Sequence, residues 1–241
     1  MIMTIRRRIT SEKRQFDILE GREFKYSGAI GKLHALQDII LSDDLHGEQI
    51  VGKLTKNPAD LLSSATLAET RRRECTVTEN DAVIGHFDEY ISNDRNFYEI
   101  DADDKLFTVH RHTNSKFLYL EIVHNDELVA VIQSLQGTSG AESIYKLYIL
   151  TEFDNLSRTF ALFALYFDNF ENSPTALRGS GAWNISASPS RGLHIGYGRK
   201  REITVSFSEL FRKSPVDPCE QWLAEHFPEE DFYGRTSLVS E

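Results

Sequence analysis

Between Thr159 and Phe167 the chain reads TFALFALYF, a run without a single charge. Wound as a helix, it presents Phe160, Leu162, Phe163, Leu165 and Phe167 around its whole circumference, so no side of it suits water. Such a helix needs a lipid bilayer or a protein wall on every side. A bilayer asks for about 20 apolar residues to cover ~30 Å of hydrocarbon, whereas this run covers roughly 14 Å at ~1.5 Å per residue. Lengthening it takes in Glu152, Asp154, Arg158 and Asp168, and a central charge costs about 2.5–3.5 kcal/mol, less towards the helix ends. A transmembrane segment therefore fails on length and on charge. Leaving the large side chains wet would forgo roughly 1.5–3 kcal/mol apiece. The economical solution is a helix over about residues 154–170 threaded through a closed β-barrel.

The rest of the chain supplies the wall. Short alternating runs, a cluster of Asp, Asn or Gly, and a second alternating run recur in DIILSDDLHGEQIVGKL (38–54), ECTVTENDAVIGHF (74–87), FYEIDADDKLFTVHR (97–111) and LYLEIVHNDELVAVI (118–132). QFDILEGREFKYSGAI (15–30) is a weaker fifth copy. Period-two apolar residues around a cluster that tolerates positive φ predict a β-hairpin. In 118–132, for example, Leu118, Leu120 and Ile122 share a face, as do Val129 and Val131 after the turn. Repeated hairpins predict a meander that closes on itself and so removes its edges. The fold class is thus mainly β: a closed antiparallel barrel of roughly twelve strands around one hydrophobic helix.

Outside this pattern, residues 58–70 suggest a short helix or loop, 136–143 a polar loop, and IYKLYILTEF a last barrel strand. The barrel domain is placed at 14–172 and a C-terminal extension at 173–241. Residues 173–200, rich in Gly, Ser, Arg and Asn, read as a long loop. REITVSF (201–207) reads as a strand, and PCEQWLAEHF (218–227) as a short amphipathic helix with Trp222, Leu223 and Phe227 at helical spacing.

A barrel within helical reach, with hairpins such as FYEIDADDKLFTV and LYLEIVHNDELVAVI followed by LYILTEFDNLSRTFALFALYF, resembles the tubby C-terminal-like superfamily. That group takes in tubby proteins, phospholipid scramblases, LURP-one-related proteins and small bacterial members, the last being the nearest in pattern. The resemblance covers about residues 14–170 and rests on the order of elements. It implies a barrel around a central helix. In tubby proteins phosphoinositides are bound through surface Lys and Arg, but no matching motif here carries those residues over.

Composition narrows the function. The net charge of −10 argues against nucleic-acid binding, which needs clustered cations to neutralise phosphates. From Asp217 onward seven carboxylates face the single base Arg235, so the acid excess is concentrated in the tail. Two cysteines, Cys75 and Cys219, make no disulfide framework. Arg6-Arg7-Arg8 is followed by the polar ITSEKRQFDILEG and so reads as no signal peptide. A cytoplasmic protein, peripheral at a membrane where it binds lipid, is the expectation.

No G-x-S-x-G, H-E-x-x-H, C-x-x-C or Walker A pattern occurs, so no catalytic residue, metal or cofactor is expected. Gly192, Gly196 and Gly198 ahead of Arg199-Lys200-Arg201 have the wrong spacing for a phosphate loop. His110 and His112 share a strand face and His124 lies in the next hairpin, which reads as surface histidines rather than a zinc set. Asp43/Asp44 and Asp103/Asp104 fall in predicted turns, where Asp is favoured by the backbone. The basic triplets Arg71-Arg72-Arg73 and Arg199-Lys200-Arg201 are the candidate ligands for an anionic group or lipid headgroup. The expected function is a non-enzymatic binding or scaffold module whose partner is an anionic lipid or a protein. The alternatives are an enzyme with a site in the 173–200 loop and a membrane-inserting, scramblase-like protein.

Overall fold

The computed structural model describes residues 1–9, 13–31, 38–43, 46–56, 70–91, 96–113, 117–135, 144–171, 184–188, 192–197, 201–205 and 217–229. Twelve strands come first: β1 (Ile2–Ile9), β2 (Lys13–Glu20), β3 (Glu23–Gly31), β4 (Ile39–Asp43), β5 (Glu48–Lys56), β6 (Thr70–Glu79), β7 (Ala82–Ile91), β8 (Asn96–Ala102), β9 (Lys105–Thr113), β10 (Phe117–His124), β11 (Glu127–Leu135) and β12 (Ile144–Ile149). Each pairs antiparallel with its sequence neighbours, and β1 pairs with β12, Ile2 opposite Tyr148 and Ile5 opposite Tyr145, to close the barrel. A short 3-10 helix, Thr151–Leu156, then leads into α1 (Ser157–Glu171).

All five hairpins read from the pattern are present, as β2–β3, β4–β5, β6–β7, β8–β9 and β10–β11. Three of their turns place Asn80-Asp81, Asp103-Asp104 and Asn125-Asp126 at positive φ. Two consecutive left-handed residues make the turn whose twist matches that of the strands, and Asn and Asp tolerate the conformation best after Gly. That is why acidic dipeptides recur between the alternating runs.

The helix lies inside. Every residue from Phe160 to Phe167 is buried, and the strands meet it with inward residues such as Met3, Ile5, Phe16, Ile18, Val77, Phe87, Ile100 and Leu120. Aromatic rings lock the two layers edge to face: Phe87 on Phe163 at 5.4 Å, Tyr98 on Phe163 at 5.7 Å and Phe107 on Phe160 at 5.3 Å between centroids. Among the described residues no helix is long and apolar enough to cross a membrane.

Two expectations need correction. The barrel begins at Ile2, not near residue 14, because IMTIRRRI is β1. Its inward positions are Met3, Ile5 and Arg7, and a charged third position hides the alternation. Within 173–200, expected as loop, lie β13 (Asn184–Ser188) and β14 (Gly192–Tyr197), which join β15 (Arg201–Val205) in a three-stranded antiparallel sheet. Glycine in a ladder weakens the strand signal, and Gly192 and Gly196 do so here. The segments 58–69 and 136–143 lie outside the described residues.

The chain divides into two compact units, Met1–Ser173 and Pro174–Glu241. The second holds the small sheet and a helix, α2 (Pro218–His226). Asp217 caps α2, its carboxylate accepting from the backbone N–H groups of Cys219 at 2.9 Å and Glu220 at 3.4 Å, with Pro218 at the first helical position.

The wall leaves little room for added atoms. A Cβ on Gly85 would sit 2.3 Å from the backbone carbonyl oxygen of Asp101 on the neighbouring strand. Gly85→Ala is therefore expected to push β7 from β8 and cost about 1–3 kcal/mol. In urea unfolding this appears as a lower midpoint at an unchanged slope. Gly28→Ala, whose nearest obstacle is the movable end of Leu165, is expected to cost less.

Candidate functional site at the two barrel rims

Because α1 fills the barrel, function is confined to the ends and the outside, and the ends differ. The turns after even-numbered strands all fall at one end, where the helix enters, and all but the β4–β5 turn are two-residue connections. Connections after odd-numbered strands fall at the opposite end, where α1 finishes, and they run longer. We call these the tight-turn rim and the long-loop rim.

At the long-loop rim the inward alternation continues, but in arginine. Arg7 on β1 and Arg14 on β2 both point at Asp168 in the last turns of α1. Arg7 Nη1 donates to Asp168 Oδ1 at 3.2 Å and Oδ2 at 3.3 Å; Arg14 Nη1 donates to Oδ2 at 3.2 Å and to the Asp168 carbonyl at 3.1 Å. Arg14 Nη2 also donates to Asn169 Oδ1, and the Tyr145 hydroxyl donates to Asp168 Oδ1 at 2.6 Å. Asp168 is fully buried and both arginines are nearly so. Burial draws the Arg14 guanidinium below its ordinary pKa, Asp168 opposes this, and Arg7 adds to it. Two cations thus share one carboxylate, and Arg14 also bonds a carbonyl near the helix C-terminus, the placement that the helix dipole favours.

Further round the rim Arg73 on β6 meets Glu89 on β7 at 3.1 Å, directly opposite it in register. Both lie over Tyr166, whose phenol is held well above its ordinary pKa by burial first and then by Glu89. Arg111 on β9 lies with its guanidinium carbon 6.0 Å from the centre of the Phe167 ring, a cation–π distance, and is exposed. At the described inward positions, four arginines thus face two carboxylates.

The tight-turn rim is acidic. Arg158, at the start of α1, bridges Glu48 on β5 at 2.6 Å and Glu79 on β6. Beside it opens a cavity of about 550 Å³, lined among others by Glu79, Val83, His86, Asp101, Asp104 and Arg158. Asp103 accepts from Lys105 at 2.8 Å and from Asn155 at 3.2 Å. The Lys105 hydrogen bond, ahead of its charge, holds the Asp103 carboxyl below its ordinary range.

Of the residues singled out in the sequence, Arg73 is turned to the barrel interior and paired with Glu89. Arg71 stands two residues before it in β6, opposite Tyr90, with a bulge between the two, and Arg72 falls in that bulge. Arg201 begins β15 opposite Tyr197, while Arg199 and Lys200 lie outside the described residues. The two triplets therefore fall in different units. Arg7, Arg14 and Arg111 were not singled out: each sits at an alternating inward position, the one signal that could have marked it.

His112 faces Tyr119 and stacks on its ring at 6.1 Å; His124 packs on Phe107 at 5.0 Å and bonds the Leu106 carbonyl at 2.9 Å. No metal-holding group of His, Cys, Asp or Glu occurs among the described residues. Cys75 is buried, and burial, followed by the charge of Asp38, pushes its thiol far up, so it is no nucleophile at neutral pH. Compared with known proteins, the chain matches no family model, no curated protein and no solved structure.

The Asp168 node generates a stability prediction. Asp168→Asn leaves two buried guanidiniums without a counter-charge, and the expected loss is about 3–5 kcal/mol in chemical unfolding. Replacing Arg7, Arg14 and Asp168 together by Met, Met and Leu removes the uncompensated charge and is expected to recover most of that loss. Alkylation followed by peptide mapping should label Cys75 only after unfolding, because both its burial and its raised pKa protect it.

Proposed function

We propose that the chain is a non-enzymatic binding module of the tubby-like kind, and that its long-loop rim holds an anionic group such as a phospholipid headgroup. The observation that carries this reading is the inward set of Arg7, Arg14, Arg73 and Arg111 at one rim, beside Asp168 and Glu89 among the described residues. Arg7 and Arg14 are buried and already bonded, so they set the local positive field, while the exposed Arg111 is placed to touch a ligand. Arg71, opposite Tyr90 near the start of β6, is the member of the first basic triplet that the reading adds to this group. The filled interior supports a binding role over a catalytic one: of the titratable side chains there, the Tyr166 phenol and the Cys75 thiol are both pushed up by burial, and Asp168 and Glu89 are paired with arginines. Recognition of a headgroup from a rim leaves the barrel at the membrane surface, since each cation near an anionic leaflet is worth about 1 kcal/mol.

The test is flotation with phosphatidylcholine vesicles carrying an anionic lipid. The protein is expected to float at low salt and to be released as salt rises, because exposed charges are screened within about 10 Å at 0.1 M. Arg71→Gln with Arg111→Gln is expected to lower the bound fraction several-fold at an unchanged melting temperature. No flotation at low salt, or an unchanged bound fraction in the double variant, overturns the reading.

A further inference from the structure

The opposite rim carries a second surface of different character, independent of the lipid reading. Its cavity of about 550 Å³ is of the size that accepts one or two side chains. Its wall comes from three hairpin strands and the helix start: Glu79 on β6, Val83 and His86 on β7, Asp101 on β8, and Arg158 on α1. Arg158 is spoken for by Glu48 and Glu79, and Lys105 by Asp103. Asp101 and Asp104 are exposed and have no ion-pair partner among the described residues. The pocket thus retains uncompensated negative charge.

Charge is only half of it. Among the described residues the large hydrophobic side chains left exposed are Phe24, Val83 and Leu106, and all three stand next to tight turns. Val83, at 59% exposure, lines the cavity, and Leu106, at 54%, is the register partner of Asp101 across β8–β9. An exposed strand position beside a hairpin turn is usually polar, and two large aliphatic residues bracketing a carboxylate pocket are wasted on a free metal ion or polyamine. They fit a segment that offers apolar and cationic side chains together. The surface is also rigid, since two-residue turns hold the carboxylates and little ordering cost falls on the protein side. An anionic membrane is excluded as occupant by repulsion.

We propose that this rim is the docking site for a basic segment of a protein partner. A lysine or arginine enters the cavity towards Asp101 and Asp104, while an adjoining aliphatic residue covers Val83 and Leu106. Complementarity of charge and of apolar surface selects that chemistry.

The experiment is fluorescence anisotropy of the full chain with a labelled peptide of alternating lysine–leucine and arginine–leucine pairs. One control peptide has its leucines replaced by serine, and a second has its cations replaced by glutamate. Expected are micromolar binding at low salt that weakens with added salt, at least a five-fold loss without the leucines, and none of this binding with glutamate. In the protein, Asp101→Asn with Asp104→Asn is expected to weaken binding about ten-fold, and Val83→Ser with Leu106→Ser about five-fold. Glu23→Gln with Glu127→Gln, exposed carboxylates outside the cavity, should stay within two-fold. All the substituted side chains are exposed, and melting curves establish that each variant is folded. Absence of binding at low salt overturns the proposal, as does equal weakening by the remote pair, which would mean diffuse attraction to an acidic protein. Sedimentation velocity supplies the last outcome: self-association lost in the Asp101/Asp104 variant would make the occupant a second copy and overturn the partner assigned here.

Discussion

A helix that is apolar on every side cannot be stable until it is enclosed, and the first unit follows from that constraint. Enclosure needs a wall without edges, so β1 must meet β12. The wall must also approach closely, and this is where glycine becomes necessary: a side chain on Gly28 would collide with Leu165 of the helix, and one on Gly52 would crowd Cys75. Where the helix ends, the apolar lining ends with it, and the same inward alternation turns from Ile5 to Arg7 and from Val109 to Arg111. Arginine suits that frontier because its stem packs against the last apolar turn while its fork bonds the helix terminus.

The two rims owe their opposite charge to backbone geometry as much as to electrostatics. Left-handed turn positions select Asn and Asp, so the β6–β7, β8–β9 and β10–β11 turns gather carboxylates at one end. The helix begins there, with the positive end of its dipole, and finishes among arginines. Turn chemistry, helix direction and side-chain charge therefore point the same way, and the barrel is polarised along its axis. The barrel thus has two unlike ends, while the net charge of the chain, taken alone, reports only an acidic protein.

Much of this was legible beforehand. Strand alternation around turns with Asp, Asn or Gly marked the five hairpins, and the uncharged run from Thr159 to Phe167 marked the core helix. What escaped notice escaped for physical reasons. β1 was hidden because Arg7, an inward residue, reads as polar, and β13 and β14 were hidden by their glycines. The acidic cavity could not be read at all: Glu79, Asp101 and Arg158 become neighbours only once the barrel has closed, and no local pattern records that meeting.

The order of elements along the chain has a consequence for biogenesis. Eleven of the twelve strand pairings join consecutive strands and can form as each hairpin leaves the ribosome, whereas the seam between β1 and β12 waits for almost the whole barrel. The residues that fill the interior come later still, since α1 follows all twelve strands. A nascent chain therefore carries an open, apolar, curved sheet with two unpaired edges and nothing to cover it until Ser157–Glu171 emerges. Non-local closure is slow and exposes such intermediates to aggregation. A chain that has emerged only as far as Ile149, with α1 still inside the ribosome, holds a complete wall without its pillar, and that species is the one for which a chaperone would be needed.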